Sequence, residues 1–200
     1  MTGHYSSDIA FSPAVKAVQT RKGSRDGYAK MEEKGGWRTV VTEDLAAFIA
    51  ERDSFYLATA SVDGQPSLQH RGGPKGFLRV MDERTLAFAD FAGNRQYISV
   101  GNLSENDRVS LFLMDYPNRR RIKIWGRARV VEDDPELLQD LGDPDYKAPV
   151  EAAMVIRVEA WDINCSKYIA QRYTEDQIAD LIQPLQARIL ELEAELAVLR

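Results

Sequence analysis

Residues 55–62 alternate with a period of two: Phe55, Leu57, Thr59 and Ser61 fall on one side, Tyr56, Ala58, Ala60 and Val62 on the other. That period predicts a β-strand with two unlike faces. Asp63-Gly64 supplies a hairpin turn, and the partner strand runs from Gln65 to about Arg71. Strand signals recur at close spacing over residues 77–81, 85–91, 109–114, 121–131 and 154–158, with a tight turn at Asp82-Glu83 between the first two. Short strands joined by tight turns predict an antiparallel sheet closed into a barrel or a sandwich.

Helical patterns flank and interrupt these strands. Ser12-Pro13, followed by Ala14, Val15, Ala17 and Val18 and stopped by Gly23, predicts a short helix capped by Ser12. Its apolar face is small, so it must lie on the main body or on a partner subunit. Residues 24–36, rich in Gly, Lys and Glu, read as a linker that Gly35-Gly36 ends before Trp37. Thr42 caps a second helix from Glu43 to about Arg52, with Glu43 and Asp44 at the positive end of its dipole and Leu45, Phe48 and Ile49 on one face. Residues 93–99 read as the start of a brief helix, with Asn94 as the cap and Tyr97 and Ile98 turned inward. Asp134 caps another over residues 135–141, stopped by Gly142.

The C-terminal segment follows a different pattern. Thr174 and Gln177 form a capping box, and Ile178, Ile182, Leu185, Ile189, Leu192, Leu196 and Leu199 repeat at the 3-4 spacing of heptads. Two arrangements fit this seam: the helix packs along its own barrel, or it self-associates, which the strictness of the repeat favours. Pro184 bends the helix or loosens its first turns. The chain therefore divides into an N-terminal helix and linker (residues 1–39) packing on the barrel or a partner, a central barrel (40–173) and a C-terminal amphipathic helix (174–200).

Length and composition narrow the picture without changing it. A chain of 200 residues with 44% hydrophobic and 28% charged residues is expected to form one core with appendages. It has no apolar run near the roughly 18 residues of a spanning helix and no secretory signal pattern, so a cytoplasmic protein without membrane association is expected. Cys165 is the single cysteine, which excludes an internal disulfide; with two histidines it cannot build the usual tetrahedral zinc site, so no metal is expected. A net charge of −5 argues against general nucleic-acid binding, and Arg119-Arg120-Arg121 reads as a solvated hairpin end. His4 falls in the polar N-terminal tail.

Candidate chemistry concentrates in two stretches. Arg71, Gly72, Gly73 and Lys75 combine two cations with two residues lacking Cβ, which lets backbone N–H groups and charged side chains converge on anionic oxygens. Alone, this stretch is equally a flexible loop after a hairpin. Asn94-Arg95-Gln96, at the start of a predicted helix, adds a second natural anion site. Neither stretch matches the phosphate loop GxxxxGKS/T or the dinucleotide GxGxxG, which disfavours an ATPase or a Rossmann fold.

The order of the strand at residues 55–61, the turn Asp63-Gly64-Gln65-Pro66, the loop Arg71-Gly72-Gly73-Pro74-Lys75-Gly76-Phe77, the strand Asp82 to Phe88 and Gly93-Asn94-Arg95 resembles the pyridoxamine 5′-phosphate oxidase-like flavoproteins. The resemblance covers about residues 40 to 170. It implies a mainly β, α+β split β-barrel of antiparallel strands with short peripheral helices, forming a homodimer that holds FMN between its subunits. Arg71 and Lys75 would then meet the FMN phosphate or the polar edge of the isoalloxazine, and Gly72 and Gly73 would let main-chain groups reach the ring. Asn94, Arg95 and Gln96 stand where the family's Ser-Arg-Lys type segment clamps the phosphate. Gln96 replaces a frequent lysine and shifts weight to Arg95.

Cys165-Ser166-Lys167 resembles a Cys-Pro-Lys type segment, which places Cys165 and Lys167 at the flavin across the dimer; the competing reading of Cys165 is a small buried hydrophobe. His70 is a candidate proton donor to reduced flavin or substrate, without a visible orienting partner. Trp125 and Trp161 read as barrel core, with packing near a flavin as the alternative. The family's Arg-x-His type segment for pyridoxal phosphate is missing, which argues against vitamin B6 oxidation. The resemblance thus implies an FMN-dependent oxidoreductase acting on a small molecule that the sequence does not identify. The other reading is a carrier or sensor without turnover that holds a flavin, haem or deazaflavin in the same cleft.

Overall fold

The structure is a computed structural model that describes residues 5–198; His4 and Leu199 lie outside them. The described residues fall into two compact units, one with the residues up to Met114 and Arg121–Cys165, the other with Asp115–Arg120 and Ser166 onward.

The first unit is built on a seven-stranded antiparallel sheet: β1 (Ser54–Ala60), β2 (Pro66–Gly72), β3 (Arg79–Asp82), β4 (Thr85–Phe91), β5 (Arg108–Asp115), β6 (Arg120–Val131) and β7 (Val150–Ile163). Their order across the sheet is β2-β1-β5-β6-β7-β4-β3, which is a split β-barrel. In β1 the period of two is realised as predicted, with Phe55, Leu57 and Thr59 buried and their neighbours half-buried. β4 is instead buried at four successive positions, Leu86 to Ala89. Leu86 and Phe88 enter the main core, while Ala87 and Ala89 join a second cluster with Leu141 of α5 (Pro135–Leu141). A strand covered on both faces loses polar alternation. β7 is much longer than residues 154–158 because it pairs with both β4 and β6.

α3 (Glu43–Ala50) starts where Thr42 Oγ1 accepts from the Leu45 N–H, and it drives Leu45, Phe48 and Ile49 into the barrel core. Asp134 caps α5 in the same way. Trp161 is 2% exposed in that core and donates its indole N–H to the Val40 carbonyl at 2.7 Å.

The N-terminal segment differs from the sequence reading. α1 (Pro13–Arg21) is capped by Ser12, as its pattern requires. Residues 24–36, read as a linker, contain α2 (Arg25–Glu33). Gly27 in its first turn weakens local propensity, but tertiary contacts outweigh this: Glu32 is 3% exposed, pairs with Arg25 and accepts from the Ser7 hydroxyl. Gly35 and Gly36, both at positive φ, end this segment. Phe11 then packs edge-on against Tyr28 and Trp37, and Trp37 stacks on Trp125 of β6 at 4.5 Å. This aromatic ladder fastens the N-terminal helices to the barrel of the same chain.

The second unit holds a turn and a helix. Asp115 accepts from the Asn118 backbone and side chain; Gln171 accepts from Arg119 and donates to the Pro117 carbonyl. α6 (Glu175–Val198) starts from the Thr174–Gln177 capping box and runs through Pro184.

Candidate functional site: a polar pocket on the barrel

The register of β2 on β1 decides which side chains reach a site. Phe55 pairs with Arg71 and Leu57 with Gln69, so Gln69 and Arg71 share the face that carries the core residues. Tyr56 pairs with His70, which puts His70 on the opposite face, its ring edge-on to Tyr56 at 5.7 Å. Arg71 approaches the end of β4 and places Nη1 2.5 Å from the Asp90 carboxylate, with side chains only 20% and 13% exposed.

From β4 the chain enters the segment Gly93–Tyr97, where the structure corrects a second expectation. The helix α4 begins only at Ile98 and ends at Glu105. Asn94 is therefore not its cap; the Asn94 carboxamide accepts from the Gln96 N–H and tightens the turn instead. Arg95 and Tyr97 take left-handed backbone conformations, φ 60° and 51°. Tyr97 and Ile98 are exposed rather than turned inward, because the late start leaves Ser99 and Leu103 as the buried face.

These elements line a small pocket, about 80 Å³ in volume, that opens to solvent. Arg71, Asn94, Arg95 and Gln96 line it, as do Asp90, Tyr97, Ser99 and Glu151. Two of its polar atoms are buried without a hydrogen-bond partner, Arg71 Nε and Ser99 Oγ, and Ser99 is 3% exposed. Buried polar groups are normally satisfied, so each of these atoms leaves hydrogen-bonding capacity unused in the wall of the pocket. The first N–H groups of α4 have no intrahelical partner and carry the positive end of its dipole toward the same region. Among the described residues the Arg95 guanidinium has no ion-pair partner. Against these donors stand two carboxylates. Burial pushes Asp90 above the ordinary carboxylate value, Arg71 pulls it back, and Glu151 reinforces the rise.

The remaining sequence candidates lie outside this pocket. Gly72 pairs with Ser54 at the end of β2. The Gly73 and Gly76 N–H groups are spent on the Asp53 and Arg52 carbonyls, and a Cβ on Gly73 would strike the Phe77 ring. The loop is thus a packed turn rather than a cradle with open N–H groups. Lys75 pairs with Glu51 at 2.5 Å on the surface. Cys165 is exposed at the end of the first unit, and Lys167 belongs to the second. Sequence reasoning passed over Asp90, Ser99 and Glu151. Only Asp90 left a trace, as a carboxylate closing the apolar run Leu86–Ala89.

Fold and pocket together define a split-barrel protein with a polar pocket, lined by Arg71, Arg95 and Ser99, between a strand end and a helix start. The family profile described as Pyridoxamine 5′-phosphate oxidase matches residues 41–165, more than half of the chain, and the chain belongs to that family. No curated protein sequence matches it. Among solved structures it resembles Group A Streptococcus HupZ, at 16% identity and a TM-score of 0.52 over 66% of this chain and 99% of that one. It also resembles an FMN-binding protein from Syntrophomonas wolfei subsp. wolfei, at 14% identity and a TM-score of 0.51 over 73% and 97%. Both likenesses concern the fold. Among the described residues no helix is long and apolar enough to cross a membrane.

Proposed function

We propose that the chain binds FMN with the phosphate in the Arg71–Arg95–Ser99 pocket, as a homodimer with the flavin between subunits, and works as a flavin-dependent oxidoreductase on a small molecule. The observation that carries this reading is the pair of buried, unpartnered donors, Arg71 Nε and Ser99 Oγ, lining one pocket with the Arg95 cation. A phosphate fits that donor set: it accepts several hydrogen bonds and favours a helix start. Membership of the pyridoxamine 5′-phosphate oxidase family supports the choice of FMN, as does the fold shared with a protein described as FMN-binding.

When bound, FMN supplies the hydride or electron transfer itself. The residues of this chain bind and orient. Arg95 and the α4 N–H groups would hold the phosphate, Ser99 Oγ would donate to it, and Arg71 would offer Nε while Asp90 keeps its Nη1 in place. Asn94 and Gln96 would close the turn around it. His70 faces away from this pocket, and Lys75, Gly72, Gly73, Cys165 and Lys167 stay outside it, so none of them would hold the phosphate, and any part they take would be at the flavin ring, from this subunit or from the second.

The test is spectroscopic. Purified full-length protein should be yellow and release FMN on denaturation, and the apoprotein should bind riboflavin at least about tenfold more weakly than FMN, since only FMN carries the phosphate. Reduction by NAD(P)H followed by reoxidation in air marks a redox catalyst; FMN binding without it marks a carrier. Colourless protein with no FMN binding in a fluorescence titration, or a preference for haem or deazaflavin, overturns the reading.

A further inference from the structure

Along α6, the described seam residues Ile178, Ile182, Leu185, Ile189, Leu192 and Leu196 are each between 42% and 64% exposed. Six large aliphatic side chains in one stripe need a partner surface. Their spacing places Ile182, Ile189 and Leu196 at a positions and Ile178, Leu185 and Leu192 at d positions. In the two central heptads isoleucine stands at a and leucine at d, which in a parallel coil favours two strands over three or four. Pro184 falls at c, away from the seam, and the helix runs through it.

Charge selects the partner and its direction. In this frame Arg188 occupies g and Glu193 the following e. Two copies aligned in parallel and in register bring Arg188 of each helix to Glu193 of the other. The antiparallel alignment that buries the same layers sets Ile182 against Leu192 and Leu185 against Ile189, and it forces Arg188 against Arg188. Within one helix Arg188 pairs with Glu191 at 2.8 Å, with Glu195 at 3.8 Å, all more than half exposed. Such pairs are weak, so they do not keep Arg188 from Glu193.

We infer that α6 is a dimerisation helix that pairs in parallel and in register with α6 of a second copy of this chain, with Arg188 and Glu193 fixing the direction. The seam is about 27 Å long at 1.5 Å per residue, short for an isolated coiled coil. Pairing therefore draws on the high effective concentration that the proposed dimer provides. In that respect it rests on the dimer reading, and it is independent of flavin.

The experiment is site-directed cross-linking in the full chain carrying Cys165→Ser. Leu192→Cys should give a dimer-sized disulfide product on mild oxidation, because equivalent d positions come within disulfide reach only in a parallel pair. A mixture of Ile182→Cys and Leu192→Cys chains should give little mixed product. Arg188→Glu and Glu193→Arg should each slow the Leu192→Cys cross-link about threefold or more, with the double exchange restoring it. A dominant mixed 182–192 product overturns the parallel arrangement, and no cross-link of either kind overturns the pairing. Sedimentation of the full chain and of a chain ending at Tyr173 separates the two readings. A truncated chain that stays dimeric alongside absent cross-links rejects only the helix, whereas a monomeric full chain rejects the dimer as well.

Discussion

The Arg71 guanidinium and the Asp90 carboxylate meet at 2.5 Å in the wall of the pocket, joining the end of β2 to the end of β4. One cation of the pocket is thereby already matched by an anion, whereas among the described residues Arg95 is not. The pocket also sets Asp90 beside Glu151, so an entering phosphate meets negative charge as well as donors.

Asp90 makes the pocket sensitive to pH. Burial, the largest influence, raises its folded-state value above the ordinary 3.8; Arg71 lowers it and Glu151 raises it. Because the folded value is raised, the protonated form stabilises the fold below about 3.8, and that contribution is lost as pH rises through the folded value. Asp90→Asn should therefore melt at or above the wild-type temperature at pH 7, with the gap closing toward pH 3.8. It should also bind FMN more tightly, on the order of tenfold, by removing an anion beside the phosphate. A variant several degrees less stable at every pH would show that the ion pair outweighs the burial of charge.

Arg95→Ala should weaken FMN binding more than Arg71→Ala. A charge-assisted hydrogen bond is worth roughly 1.5–3 kcal/mol, about ten- to 150-fold in affinity. Arg95 can give that in full. Arg71 shares its charge with Asp90, and the carboxyl left behind in Arg71→Ala can take up a proton because burial already pushes it in that direction. Equal losses in calorimetric titrations would count against assigning the phosphate to Arg95.

The barrel was legible because its strands state their faces locally: the alternation at Phe55–Thr59 and the caps Thr42 and Asp134 map directly onto the structure. α2 was not, because its support comes from Glu32 and Ser7, 25 residues apart. The site was half legible. Cation-rich segments announce themselves, but whether adjacent residues such as His70 and Arg71 serve one site depends on strand register, which separates them onto opposite faces. The partnering of the Gly73 and Gly76 N–H groups by Asp53 and Arg52 is likewise a tertiary fact, invisible in a glycine count.

Ser99→Ala tests the buried hydroxyl. Without a ligand its Oγ has no partner, so its removal should leave the melting temperature of the apoprotein unchanged or slightly raised. FMN affinity should fall by about five- to tenfold, the worth of one hydrogen bond near 1 kcal/mol. An apoprotein destabilised by several degrees would mean that Ser99 has a structural partner and no role in waiting for a ligand.

Gly126→Ala probes the barrel that holds the pocket. Gly126 sits where the β6–β7 register shifts, between the pairs Trp125–Ala160 and Gly126–Val158. A Cβ there would collide with the Arg157 carbonyl, with the carbonyl carbon at 3.0 Å and Val158 Cα at 3.3 Å. The obstacle is backbone, so no rotamer change relieves it and the two strands must separate. Overpacking typically costs about 1–3 kcal/mol, and the upper end applies, since β7 is also the strand that pairs with β4 beneath the pocket. At about 2–4 °C per kcal/mol for a chain of this size, the melting temperature should drop by roughly 6–12 °C. FMN affinity should fall with it if the strand separation reaches β4. A variant with wild-type melting would show that the bulge at Glu159 relaxes freely enough to admit a side chain.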